Sequence, residues 1–211
     1  MNLSKIILNK IFRIPFFAKK RMGFCGKNVS FSDFSNVAGI ENMYMYENTN
    51  IYSPARILCT RARFIMKKNS GAAQGLTVVT GGHMSLPGKL FKNITDADKD
   101  KLDPDKTFDR DIIVEEDVLI STNVTLLSGI TVGRGAILGS GSVCRKNIPP
   151  YSIIIGNPAK IVGFKFTPEE IKEHELKLYP KEKRLKTEEI NNNYNKYFLK
   201  RIREIKNITK L

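Results

Sequence analysis

The chain has 211 residues, with 35 lysines and arginines against 21 acidic residues, for a formal net charge of +14. A chain of this length buries a sizeable core without disulfide staples, and at 41% hydrophobic and 27% charged it is neither a disordered polyelectrolyte nor a membrane bundle. No apolar run approaches the roughly 18 residues that span a bilayer. Cys25, Cys59 and Cys144 lie far apart, with no CxxC and no Cys/His cluster, which argues against disulfides or a structural metal and for a reducing cytoplasm.

The charge is unevenly spread. Residues 1–27 carry seven basic side chains and no acid, residues 28–164 fifteen basic and thirteen acidic, and residues 165–211 thirteen basic and eight acidic. This predicts a near-neutral body with basic appendages, and it raises nucleic acid, an anionic membrane and phosphorylated ligands as partners. The first segment, residues 1–24, mixes Leu3, Ile6, Ile7, Ile11, Phe12, Phe16 and Phe17 with Lys5, Lys10, Arg13, Lys19, Lys20 and Arg21. Lys10 and Arg13 interrupt any secretory signal. Two readings stand: a short helix, broken near Pro15, that caps the core, or a basic amphipathic segment (residues 1–22) resting on an anionic membrane.

From residue 25 a weak period of six begins. Cys25, Phe31 and Val37 share one frame, with Val29 and Ser35 four residues on; Met45 and Ile51 share a shifted frame, with Thr49 and Ala55. Thr80-Gly81-Gly82-His83-Met84 follows, and then residues 84–107 lack the repeat altogether. Within that excursion Asp96, Asp98 and Asp100 have calcium-loop spacing, but Lys101 stands where a glycine is needed and Thr107 where a glutamate is needed, so a solvated loop or short helix is expected instead.

From Phe108 the period is clear. The blocks FDRDII, VEEDVL, ISTNVT, LLSGIT, VGRGAI, LGSGSV and CRKNIP carry an apolar first residue in every case: Phe108, Val114, Ile120, Leu126, Val132, Leu138 and Cys144. The fifth place holds Ile112, Val118, Val124, Ile130, Ala136, Ser142 and Ile148. Neither a helix nor simple alternation yields such register; a fixed short period marks a solenoid. Each hexad makes a short strand and a turn, and three hexads close a triangular coil, with first-place residues stacking inward and Gly133, Gly139 and Gly141 easing the turns. The repeat ends at Pro149-Pro150 and Gly156-Asn157-Pro158-Ala159-Lys160. Beyond it, Thr167-Pro168-Glu169-Glu170 reads as an N-cap, a proline at the first helical position and acids in the first turn. The run Asn191-Asn192-Asn193 is expected to break this helix, with Tyr194–Lys210 forming another.

These hexads, the GNPAK exit and the upstream glycine-flanked histidine resemble the left-handed parallel β-helix acyltransferases, the hexapeptide-repeat family, over residues 25–166. The resemblance implies a mainly β left-handed parallel β-helix with an N-terminal helical cap (1–24), the excursion and a C-terminal helical tail (167–211). It also implies a homotrimer using acetyl-CoA, with sites between subunits. In that light His83 becomes the general base that takes a proton from an acceptor hydroxyl as it attacks the thioester. His174, in the C-terminal helix, is read as structural. The same resemblance carries CoA contact to Thr122, to Ser140 one coil on, to Arg145 and Lys146, and to Lys160 at the end of GNPAK. Arg145 departs from the family's usual threonine. No metal and no nucleic acid is expected. The acceptor expected first is a hydroxyl of a sugar or surface glycan; the alternatives are an antibiotic hydroxyl, the amine of a nucleotide-sugar, and a non-catalytic basic repeat protein that binds membrane or nucleic acid.

Overall fold

The computed structural model describes residues 15–200 and 202; most of the basic N-terminal segment and the end of the tail lie outside the described residues. Strands of two to five residues form three sheets. Face A stacks Phe24–Cys25, Met43–Met45, Phe64–Met66, Ile112–Val114 and Thr131–Val132. Face B stacks Asn50–Ile51, Gly71–Ala72, Leu119–Ile120, Ile137–Leu138 and Ser152–Ile155, and face C stacks Val37–Ala38, Arg56–Leu58, Thr77–Val79, Thr125–Leu127 and Val143–Cys144. All these pairings are parallel, and the chain visits A, B and C in turn, winding a triangular prism. The strand Lys160–Phe164 then turns back antiparallel on Ser152–Ile155 and ends the stack.

Hydrophobic columns hold the prism together. Met45, Met66, Val114 and Val132 are in register on face A, Ile51, Ala72, Ile120, Leu138 and Ile154 on face B, and Ile57, Val78, Leu126 and Cys144 on face C. All of these side chains are buried, each worth about 1.5–3 kcal/mol if it is a full aliphatic. The fourth place of the hexad takes a left-handed backbone. On the A-to-B edge it is filled by Asn28, Asn48, Asn69 and Asp117, all with φ near +60°, a conformation that asparagine and aspartate tolerate better than most residues. Three of these asparagines form a ladder, with Asn28 donating to Asn48 (3.0 Å) and Asn48 to Asn69 (3.1 Å).

The register exposes a regularity that the linear period hides. From face A to B the columns advance six residues (Met45 to Ile51, Met66 to Ala72, Val114 to Ile120), and from B to C six again (Ile51 to Ile57, Ala72 to Val78, Ile120 to Leu126). Every departure falls on the C-to-A edge: eight residues from Val37 to Met45, nine from Ile57 to Met66, 36 from Val78 to Val114, and four from Cys144 to Ile148. Only the step from Leu126 to Val132 keeps six.

Two expected repeat positions do not fit. Phe108 is 44% exposed because it belongs to the returning arm of the excursion rather than to a coil, and Ser35 is exposed on the first B-to-C turn, just before the face-C strand Val37–Ala38.

Helices cover the ends. α1 (Pro15–Arg21) is the first described element and buries Ala18 against the core; the segment before Pro15, with the expected break there, lies outside the described residues. α2 (Asp96–Leu102) lies in the excursion, capped reciprocally by Thr95 and Asp98. α3 (Pro168–Leu178) has the expected N-cap, Thr167, and proline at its start; Glu170 completes a reciprocal capping box with Thr167. α4 (Thr187–Tyr194) runs straight through the asparagine triplet, so the tail breaks at residues 179–186 instead; a π-helical turn, Asn195–Leu199, follows. Ile190, buried against Ile171 and Tyr151, supplies the apolar anchor that outweighs the weak helix propensity of the asparagines.

Candidate active site

His83 lies on the C-to-A edge, at the start of the 32-residue connection (residues 80–111) between the strands Thr77–Val79 and Ile112–Val114. The base of this connection is pinched shut. The Arg110 amide donates to the Thr80 carbonyl (3.0 Å), and the Thr80 hydroxyl donates to Ala62 in the coil below (3.0 Å). Thr80 and Met84 are both buried, so the span between them is held at either side while Gly82 and His83 are presented outward.

The imidazole borders a cavity of about 660 Å3. Its floor is the outer surface of face C, Ala38, Leu58 and Val79, and its far wall is the excursion, with Phe91, Lys92, Ile94 and Asp96. The edge of Phe91 meets the His83 ring at 5.0 Å between centroids and 81° between planes. Among the described residues no side chain or backbone group hydrogen-bonds the imidazole.

Beneath the histidine sits a buried charge cluster that the residue pattern did not announce. The Asp109 carboxylate, 2% exposed, accepts from Lys99 Nζ (2.6 Å) and from Arg61 Nε (2.7 Å); Arg61 also pairs with Asp100 and, at 3.4 Å, with Asp96. Lys99 Nζ donates as well to the Gly82 carbonyl (2.6 Å). Burial pulls the Asp109 pKa up, but the hydrogen bonds and charges of Lys99 and Arg61 outweigh it and hold the carboxyl below the usual range. These three residues come from three separate segments, and acids alternating with lysines along 96–106 give no hint of which one turns inward.

The other expected site residues divide between two edges. Thr122 and Ser140 occupy successive turns of the B-to-C edge, both exposed, with the Gly141 amide donating to the Thr122 carbonyl (2.9 Å). Gly156 continues that edge one coil further, its carbonyl accepting from Val143. Arg145 and Lys146 are exposed on the C-to-A edge, two coils from the histidine, because they follow Val143–Cys144 on face C. Lys160, exposed, opens the antiparallel final strand. One chain therefore aligns Arg145 and Lys146 along the edge of His83 and leaves Thr122 and Ser140 on another. His174 packs against Tyr151 and Phe166 in the C-terminal helices.

Cys59 and Cys144 line the core rather than the cavity. Burial, with Glu41 adding at Cys59, pushes both thiols up to about 12, so neither offers a thiolate near neutral pH. Among the described residues no cluster of His, Cys, Asp and Glu is arranged to hold a metal, and no helix is long and apolar enough to cross a membrane.

The three-faced parallel prism recurs among solved structures. A maltose O-acetyltransferase from Clostridium difficile 630 superposes with a TM-score of 0.58 at 19% identity, over 76% of this chain and 84% of that one. A hexapeptide-repeat-containing acetyltransferase from Vibrio cholerae gives 0.58 at 18%, over 77% and 90%. The fold is that of the hexapeptide-repeat acetyltransferases. It is thus a left-handed parallel β-helix, as the repeat implied. The same Vibrio cholerae protein complexed with acetyl-coenzyme A superposes at 0.50 and 16% identity, over 77% and 86%. An N-acyltransferase from Bacillus cereus, in complex with dTDP and 3-hydroxybutyryl-CoA, superposes at 0.54 and 15%, over 84% of this chain and 98% of that one. No family model and no curated protein sequence matches the chain.

Proposed function

We propose that the protein is an acetyl-CoA-dependent O-acetyltransferase that acts on a hydroxyl of a sugar or glycan, with His83 as general base. The observation that carries this reading is an exposed imidazole on the rim of a 660 Å3 cavity, at the one edge where a hexapeptide-repeat prism departs from its period. In the reaction, the neutral imidazole takes the acceptor's proton as its oxygen bonds to the thioester carbonyl carbon. Backbone N–H groups stabilise the oxyanion. The tetrahedral species then collapses by breaking the C–S bond, and because thiols ionise far more readily than alcohols the CoA sulfur leaves as thiolate. Transfer is direct, since the buried thiols of Cys59 and Cys144 are poor nucleophiles.

Arg145, Lys146 and Lys160 supply cationic contacts to the CoA phosphates. Thr122 and Ser140 serve the cofactor from another edge, which fits a homotrimer in which a neighbouring copy brings its own edge to His83. The enzyme works in the cytoplasm. The exposed Phe16 and Phe17 beside Lys20 support peripheral contact with an anionic membrane through residues 1–22. Removing that segment is expected to weaken sedimentation with phosphatidylserine vesicles; unchanged sedimentation would remove the membrane contact.

A second reading, acylation of an amine on a nucleotide-linked sugar, draws on the superposition over 98% of an N-acyltransferase bound to dTDP. One assay addresses both. Purified protein is incubated with acetyl-CoA and a panel of sugars, glycan fragments, antibiotics and nucleotide-linked amino sugars, and free thiol is followed. An acceptor hydroxyl that releases thiol in the wild type and not in His83→Ala supports the reading; equal turnover in His83→Ala overturns it.

A further inference from the structure

The Lys99–Asp109 pair has no task in the transfer step just described, yet it is among the most completely built features of the molecule. Its side chains are 8% and 2% exposed. Burying two charges costs several kcal/mol before their attraction is counted, and apolar packing of similar volume often stabilises as well or better. A plug that served only to close the excursion would need no ions.

The local arrangement gives the pair a direction. Lys99 comes from α2 in the excursion, Asp109 from the returning arm, and Arg61 from the widened C-to-A turn of the preceding coil. The ammonium spends one of its donors on Asp109 and another on the carbonyl of Gly82, the peptide that leads into His83. The Asp109 carboxylate lies so close to Gly81 that a Cβ there would sit 2.2 Å from its Oδ1. Nothing described hydrogen-bonds the imidazole itself; apart from the edge of Phe91 against the ring, the backbone is the route by which the scaffold sets where the ring points.

We propose that Lys99 and Asp109, with Arg61 behind them, are positioning residues that hold the Gly82–His83 peptide so that the imidazole faces the cavity. They act through the backbone and touch neither acceptor nor cofactor. The inference rests on His83 being the base, but its test does not. A rotation of the Gly82 peptide swings the ring, and a displacement of about 1 Å at a reacting group costs on the order of 10²-fold in rate.

The chain has two histidines, so protein labelled with 13C at histidine Cε1 gives two ring resonances, and His83→Ala identifies each. In Lys99→Met the His83 resonance is expected to shift or broaden at fixed pH while that of His174, on α3, stays in place; kcat falls on the order of 10²-fold with KM for acetyl-CoA unchanged. An unmoved His83 resonance in folded Lys99→Met overturns the proposal whatever the activity. If Lys99→Met sends both resonances to random-coil positions, Asp109→Asn, which keeps the side-chain shape, is read the same way. Collapse of both variants assigns the pair to folding and also overturns the proposal. Retained turnover in His83→Ala removes the base and leaves the resonance experiment intact, so the two failures are distinguishable.

Discussion

Leu126 and Phe108 occupy the same place in the hexad, and the structure predicts opposite costs for shortening them. Leu126 is fully buried, in register with Val78 on one side and Cys144 on the other. The backbone around it is fastened to both neighbouring coils, Thr125 donating to Ser142 (2.8 Å) and Thr77 to Val124 (2.9 Å), so the walls cannot close over a void. Leu126→Ala loses about 0.8 kcal/mol for each methyl or methylene removed, about 2.4 kcal/mol in all. The unfilled cavity carries the total to about 3–5 kcal/mol. For a chain of this size that is roughly a 10 °C fall in Tm. Phe108, 44% exposed on the excursion's returning arm, should cost under about 1 kcal/mol when cut to alanine. Thermal unfolding followed by circular dichroism, at matched protein concentration, compares the two. Equal shifts would refute the assignment of stability to the inward columns.

At the site, Gly81→Ala places a methyl 2.2 Å from a carboxylate oxygen pinned by Lys99, whereas Gly82→Ala meets no atom within 4 Å; acetyl transfer should be lost in the first and kept in the second, as measured by thiol release. In the C-terminal cap, buried Glu175 accepts from the Tyr151 hydroxyl (2.6 Å), Arg134 Nη1 (3.0 Å) and the Leu185 amide (3.0 Å). Glu175→Ala leaves the largely buried Arg134 charge without its carboxylate and should cost about 3–5 kcal/mol in urea unfolding; a loss below about 1 kcal/mol would show that the clamp is idle. The pH dependence follows from Asp109: its folded pKa lies below the unfolded value of about 3.9, so its stabilisation is complete above that value and is lost as pH falls through the folded one. Acid unfolding should therefore steepen below about pH 4 and flatten in Asp109→Asn. Cysteine alkylation near neutral pH should reach half-buried Cys25 well before Cys59 and Cys144, a rank order that mass spectrometry of the labelled peptides checks.

Much of the prism was legible in the residues because inward stacking repeats: Val114, Ile120, Leu126, Val132 and Leu138 announce their faces by spacing alone. The lower coils were read only in fragments. Met66, Ala72 and Val78 continue the frame of Met45, Ile51 and Ile57 once three extra residues are allowed at the C-to-A turn, a shift that a fixed period of six misses. The helical tail shows the opposite error. Asparagine propensity pointed to a break at 191–193, but burial of Ile190 outweighs it, and the chain breaks where Pro180 follows Tyr179.

For the site, His83 stood out because the chain has so few histidines and because glycines flank it. The Lys99–Asp109–Arg61 cluster carried no such signal, since nothing local distinguishes Asp109 from Asp105 or Lys99 from Lys101. The amino-acid order by itself determined that this chain coils in sixes, that a helix starts at Thr167-Pro168 and that its excess charge gathers at the ends, because each depends on neighbours a few residues apart. The tertiary structure alone decided that every irregularity falls on one edge, and that a buried lysine grips the peptide before the histidine. The cluster's contacts join residues 10 to 48 apart, and it takes the folded excursion and the winding of the coils to bring them together.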